Sequence, residues 1–378
     1  MDYTLVNNLF ETYKERALFG RYIRLDDLTP LIAKLPSGYK IESLGSSVLG
    51  RPIQSITIGS GDLKILMWSQ MHGNESTTTK AVFDLLNSFK DDRLVHILKA
   101  CTIVIIPMLN PDGCEAYTRL NANQVDLNRD AQELSQPESK VLRDCYDAFK
   151  PDFCFNLHGQ RTLFCAGQTN NVATLSFLSP SADKQRGLTV ARKQAMEVIN
   201  AINHSLQRDL PDQIGRYDDG FNINCVGDTF HFLETPTVLF EAGHYKDDYD
   251  REAVRCFVYK ALIAGLDVIV NTEITGDNYV NYFDIPENGK LFYDIIIRKA
   301  LFEDQILDIG INYEEVLVGK QLKFRPKVIT IADLSSFYGH KELIANNSKV
   351  FTTNKQVVSV GYENDFVIID NVKLSLNV

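Results

Sequence analysis

Apolar runs that each stop on a polar side chain constrain this chain more than any other feature. Leu63-Lys64-Ile65-Leu66-Met67-Trp68-Ser69-Gln70 ends just before His72, Asp152 to Leu157 delivers His158, and Thr237-Val238-Leu239-Phe240 delivers Glu241. Thr102-Ile103-Val104-Ile105-Ile106-Pro107 is a fourth run, followed by an Asn110-Pro111-Asp112-Gly113 turn. Runs of this length and content read as buried strands. Between and after them lie segments of helical spacing: Glu75 to Phe89, with Ala81, Val82, Leu85, Leu86 and Phe89 on one side, then Ser139 to Phe149, about Ala182 to Gln207, and Tyr249 to Ile269. Such alternation predicts an α/β fold built on a mainly parallel mixed sheet flanked by helices. Ligands of these sheets bind at the carboxyl edge of the strands, which is where His72, His158 and Glu241 fall.

Upstream, about residues 12 to 40 read as helical or irregular, and Gly45 to Ser60 as a hairpin. Near Asn271-Thr272-Glu273-Ile274-Thr275-Gly276 the character changes. Leu291 to Ile297, Gln321 to Ile331, Val350 to Val360 and Phe366 to Leu374 are short, turn-punctuated and rich in Val, Ile and Phe. A length of 378 residues suggests two domains: a catalytic one over 1–275 and a small β-rich one over 276–378, which carries no catalytic constellation.

The hydrophobic fraction of 44% and charged fraction of 23% are those of an ordinary globular protein. A formal net charge of −10 with no basic run argues against a nucleic-acid partner. Seven cysteines, an odd number without a CxxC pair, read as free thiols. No signal peptide and no apolar run of membrane-spanning length is visible, so no membrane partner and a cytoplasmic location are expected.

The polar residues at the strand ends form a pattern. His72 and Glu75 lie three apart, and with His158 they offer two imidazoles and a carboxylate, a set suited to one zinc ion with a position left for water. Asp126-Leu127-Asn128-Arg129 sets an amide beside a guanidinium, whose fork suits a planar carboxylate. The order His72-x-x-Glu75, Asn110-Pro-Asp-Gly113, Asp126-Leu-Asn-Arg129, His158, Glu241, preceded by Leu49-Gly50-Arg51-Pro52-Ile53, resembles the carboxypeptidase A-like zinc metallopeptidases over roughly residues 40 to 270. The resemblance implies one zinc ion per chain on His72, Glu75 and His158. It implies Glu241 as the general base and Arg119 as the group that steadies the oxyanion. Asn128 and Arg129 would bind the substrate's terminal carboxylate, and Tyr217 would be the tyrosine that closes over it, with Tyr245 a poorer counterpart.

Two departures stand out. Gln124 occupies a position where many relatives carry glycine, and Asp228 lies near the segment that shapes the side-chain pocket, where it would favour a basic terminal residue. His231 and His244 flank the last strand, where they could orient a ligand from behind, but all five remaining histidines (His96, His204, His231, His244 and His340) read first as structural or solvated. The implied activity is zinc-dependent hydrolysis of the C-terminal peptide bond, on a peptide or acyl-amino-acid substrate with a free carboxylate. The alternatives are an N-acyl amino acid deacylase of the aspartoacylase and succinylglutamate desuccinylase type, and a non-catalytic peptide-binding module. Oligomeric state is left open.

Overall fold

A computed structural model describes residues 3–378. Strands β1 (Lys40–Ser46), β2 (Pro52–Gly59), β3 (Leu63–Ser69), β4 (Cys101–Ile106), β5 (Phe153–Gly159), β6 (Cys165–Ala166), β7 (Leu175–Leu178), β8 (Ile214–Arg216) and β9 (Thr237–Ala242) belong to the first three-quarters of the chain. All but β6 form one eight-stranded sheet in the order β1-β2-β4-β3-β5-β9-β7-β8. The pairs β3–β4, β3–β5, β5–β9 and β7–β8 are parallel; β1–β2, β2–β4 and β7–β9 are antiparallel. This is the expected mixed sheet.

Helices α1 (Tyr3–Tyr13), α2 (Leu25–Ile32), α3 (Thr77–Ser88), α4 (Val95–Ala100), α5 (Pro111–Ala116), α6 (Pro137–Phe149), α7 (Val190–Leu206), α8 (Val226–Phe232) and α9 (Glu252–Asn271) cover both faces. The side-chain alternation of β3 shows how. Ile65 and Met67 join a core with residues of α1, α3, α7 and α9, whereas Leu66 and Trp68 join a second core with residues of α6 and α8.

Several expectations need correction. The segment 182–189 is not helical: Asp183 accepts the Gly187 N–H, and α7 starts only after Thr189, whose hydroxyl caps it by accepting the Arg192 N–H. Asn110-Pro-Asp-Gly113 is the start of α5 rather than a free turn, with Pro111 in its first turn and the Asn110 carboxamide accepting from Gly113 N–H at 2.8 Å. Gly113 also packs on Gly73 so closely that a Cβ on Gly73 would sit 1.9 Å from the Gly113 carbonyl carbon. The loop after β3 and the loop after β4 can therefore approach this closely only because residue 73 is glycine.

Beyond α9, a turn at Val280–Asp284 and strand β10 (Asn288–Gly289) pack back on the first part of the chain: Tyr282 and Ile285 join the large core, and β10 pairs with β6. Strands β11 (Phe292–Phe302), β12 (Gln305–Val318), β13 (Gln321–Ala332) and β14 (Tyr338–Ile344) form a four-stranded sheet in the order β13-β12-β11-β14. A three-stranded sheet of β15 (Val350–Phe351), β16 (Phe366–Ile369) and β17 (Val372–Ser375) closes over it around a third core. Only Val350 and Phe351 of the predicted strand Val350–Val360 are extended before a turn, in which the Thr352 hydroxyl accepts the Gln356 N–H. All seven cysteines are unpaired. Among the described residues no helix is long and apolar enough to cross a membrane.

One buried ion pair ties the helical layer together. The Arg255 guanidinium, fully buried, meets the buried Asp84 carboxylate with both oxygens at 2.6 and 2.7 Å and also donates to the carbonyls of Glu15 and Leu18. Removing one partner strands a charge out of water. Arg255→Met is expected to cost about 3–5 kcal/mol of unfolding free energy, read from urea denaturation; a loss within experimental error would contradict this account.

Candidate metal and peptide site

The parallel pairing of β5 and β9 sets His158 directly opposite Glu241. The pairing of β3 and β5 sets Ser69 opposite Leu157, so the loop that follows β3 carries His72 and Glu75 to the same edge. Glu75 sits in that loop, just before Ser76 and the start of α3 at Thr77.

There its carboxylate bridges two imidazoles. Glu75 Oε1 is 2.9 Å from His72 Nδ1 and Oε2 is 3.0 Å from His158 Nδ1, while the two Nδ1 atoms are 3.2 Å apart. Gly159 N–H donates to Glu75 Oε2 at 3.0 Å. The three residues are the one group of potential metal ligands among the described residues, with ligand atoms all within 4.8 Å of one another. A tetrahedral zinc with bonds of about 2.0–2.1 Å needs ligand atoms roughly 3.3 Å apart, so these residues fit the ion. Two ring nitrogens turned toward each other are poor company without a cation or a proton between them.

His72 has a further partner. Its Nε2 lies 3.0 Å from Asp126 Oδ1, and a proton on Nε2 there leaves Nδ1 free to ligate. Asp126 also accepts from Arg119 Nε (3.0 Å) and from Asn128 N–H (2.9 Å). Sequence reasoning gave Asp126 no role; its place two residues before Asn128 in the Asp-Leu-Asn-Arg segment was the available signal. Burial opposes ionisation of Glu75, but His72 and His158 outweigh it and hold its carboxyl well below the usual carboxylate range. Burial likewise opposes charge on His72, yet Glu75 and Asp126 raise it above an ordinary imidazole, whereas burial, aided by the charges of His72 and Arg119, outweighs Glu75 and carries His158 downward.

Glu241 differs. Burial, and then the negative charge of Glu75, push its carboxyl well above the ordinary value. Its Oε2 is buried and has no hydrogen-bond partner among the described residues. Arg119 Nη1 stands 3.2 Å from His72 Nδ1 and 3.4 Å from Glu75 Oε1, at the mouth of the cluster.

All eight residues that sequence reasoning assigned to the site line one cleft of about 870 Å³: His72, Glu75, His158, Glu241, Arg119, Asn128, Arg129 and Tyr217. Asn128 Oδ1 is committed to the Val226 N–H at 2.9 Å, which leaves its amide nitrogen for a ligand. Arg129 Nη1 donates to the Asn128 carbonyl at 2.6 Å. Tyr217 packs on Phe164 with ring centroids 5.3 Å apart, and burial drives its hydroxyl far above the ordinary tyrosine value. Tyr245 packs instead on Phe257, against the large core. Asp228 is buried in the cleft wall, accepts the Asn222 N–H, and is pushed up to about 6, mainly by burial.

Gln124, one of the two departures noted from the sequence, takes the left-handed backbone (φ +61) that glycine adopts most readily. Neither His231 nor His244 touches the cluster. His231 joins the Pro180 carbonyl to the Thr237 N–H, and burial outweighs these contacts to hold its ring down to about 4; His244 packs between Tyr249 and His340.

Residues 26–222 match the family described as zinc carboxypeptidase. The chain belongs to that family. Among curated relatives, mouse carboxypeptidase M is 27% identical over 175 residues, 38% of this chain and 40% of that protein. An uncharacterised Zymomonas mobilis protein is 30% identical over 149 residues, 36% of this chain and 39% of its own. The matches thus span no more than about two-fifths of these relatives. Carboxypeptidase A from Helicoverpa armigera superposes with a TM-score of 0.53 at 16% identity, over 71% of this chain and 80% of that one. A putative carboxypeptidase A from Shewanella denitrificans gives 0.54 at 20%, over 64% and 67%. At such identities these structures establish the shared fold of the zinc carboxypeptidases.

Asp126→Asn keeps the shape of the contact to His72 but loses its charge. Zinc affinity, measured by competition with a chelating dye, is expected to fall about 10–100-fold; an unchanged affinity would remove Asp126 from the ligand's support.

Proposed function

We propose that this protein is a zinc-dependent carboxypeptidase that releases the C-terminal residue of a peptide. One observation carries the reading: a single cleft joins the His72–Glu75–His158 cluster, an unpaired carboxylate at Glu241 and the Asn128–Arg129 pair. His72, Glu75 and His158 would hold zinc, whose Lewis acidity supplies a nucleophile from water near neutral pH.

The chain's own groups account for the rest. The Arg129 fork and the Asn128 amide nitrogen bind the terminal carboxylate, and the contact from Arg129 to the Asn128 carbonyl pre-aims the guanidinium. Glu241 takes a proton from the attacking water and returns it to the leaving amine. A carboxyl whose proton affinity is raised by burial and by Glu75 suits both transfers. Arg119, already directed at the cluster through Asp126, donates to the oxygen that gains charge. Tyr217 covers the substrate and keeps bulk water away.

Glu241→Gln is expected to retain zinc by elemental analysis and to lose turnover on a peptide with a free carboxyl terminus by a factor of at least about 10². The parent should leave C-terminally amidated peptides, acetylaspartate and succinylglutamate intact. Full activity of the variant removes Glu241 as the base, and rapid cleavage of the two acylated amino acids favours a deacylase.

Asp228 gives the side-chain pocket an acidic wall. Its carboxyl is neutral below about pH 6 and charged above it, so the preference for Lys- or Arg-terminated over Leu-terminated peptides should grow as pH rises through that value. A ratio of kcat/KM values flat from pH 5 to 8 would dissociate Asp228 from specificity.

A further inference from the structure

One wall of the cleft comes from the C-terminal sheet. Tyr313, Glu314, Glu315 and Val316, four successive residues of β12, border the same cavity as His72, Glu75, His158 and Glu241. Successive side chains of a strand point to opposite faces, so four in a row border one cavity only when the strand turns its edge to it.

That edge has no strand partner among the described residues. β12 pairs with β13 as far as Val318, but its pairing with β11 stops at Ile311. Just past that point the Asp294 carboxylate accepts the Tyr313 N–H at 2.8 Å, which fixes the direction of the Tyr313 main chain as away from β13. Pro326, opposite Tyr313, is consistent with this, since a residue without an N–H is tolerated where the ladder asks for none. The N–H and C=O of one residue point the same way and alternate along a strand. Glu315 and Leu317 therefore turn their main-chain groups to the open edge, while Glu314 and Val316 are turned to β13. The edge is also held in place: Glu315 meets Arg21 at 2.7 Å and accepts from the Tyr117 hydroxyl at 2.6 Å.

We infer that this open edge of β12 is a rail for the substrate's main chain. The residues upstream of the scissile bond lie along it as one more extended strand, hydrogen-bonded to Glu315 and Leu317. The inference rests on the peptidase reading, and the occupant follows from continuity: the cavity that holds the catalytic groups reaches the edge at Tyr313 to Val316, and Leu317 is the next residue along it. A cleft of about 870 Å³ is near the upper end of small-ligand sites, room for the terminal residue and a few residues upstream of the cut. Main-chain bonding makes such recognition indifferent to the upstream side chains, so the class of substrate is an extended peptide of several residues rather than an acylated single amino acid.

The test uses peptides that share their last two residues and are extended upstream by one to four. For the parent protein kcat/KM is expected to rise at least about tenfold from the blocked dipeptide to the longest peptide, the gain of one or two main-chain bonds. Methylation of single main-chain nitrogens in the longest peptide should cut that gain at every second upstream residue. Leu317→Pro, which deletes an edge N–H without touching the β13 ladder, should lower kcat/KM for the long peptides and leave the blocked dipeptide unaffected. A kcat/KM independent of length, or a methylation scan without the two-residue period, overturns the rail. If no peptide of any length is cleaved, the peptidase reading fails instead. The rail is then judged by hydrogen exchange: slower exchange of the Glu315 and Leu317 amides on adding the longest peptide supports it, and unchanged exchange overturns it.

Discussion

The parallel ladder of β3, β5 and β9 is the constraint on which everything else depends. Its register places His158 against Glu241 and brings the His72 loop alongside. A slip of one residue in β5 would turn His158 to the opposite face of the sheet. Apolar contacts beneath the site guard against this: Phe155 and Phe240, one on each strand, pack with ring centroids 5.0 Å apart in the large core. Ordinary hydrophobic burial thus enforces a polar geometry that would be unstable by itself.

The polar cluster also shows how buried charge is made tolerable. Glu75 is surrounded by hydrogen-bond donors and imidazoles, and its ionised form wins over the cost of burial. Glu241, at the end of β9, has no such company, and its affinity for a proton is raised. Two glutamates in one cleft are driven in opposite directions by their surroundings, and that divergence is what the proposed roles of ligand and base call for.

Much of this was legible in the amino acids because the informative residues sit at the ends of long apolar runs. Leu63–Ser69, Phe153–Gly159 and Thr237–Ala242 are buried on both faces and therefore read plainly. What escaped notice was short or polar. β7 and β8 have four and three residues and gain their strand character only from neighbours in the sheet. β12 carries Asp308, Gly310, Asn312 and two successive glutamates among its apolar residues, so nothing in its pattern marks a fourteen-residue strand. The start of α5 was masked by turn-forming residues that also make good helix caps. Asp126 was overlooked because a carboxylate that acts through another side chain leaves no apolar period to betray it.

The contact between Glu315 and Tyr117 joins residues 198 positions apart in the chain. Tyr117 sits in a left-handed turn that ends α5, and Arg119 follows two residues later. The guanidinium's loop is thus braced by a strand of the C-terminal sheet, made well after the ligand set. A nascent molecule would hold His72, Glu75 and His158 before that brace arrived, so the Arg119 loop takes its final place only when the C-terminal sheet has docked.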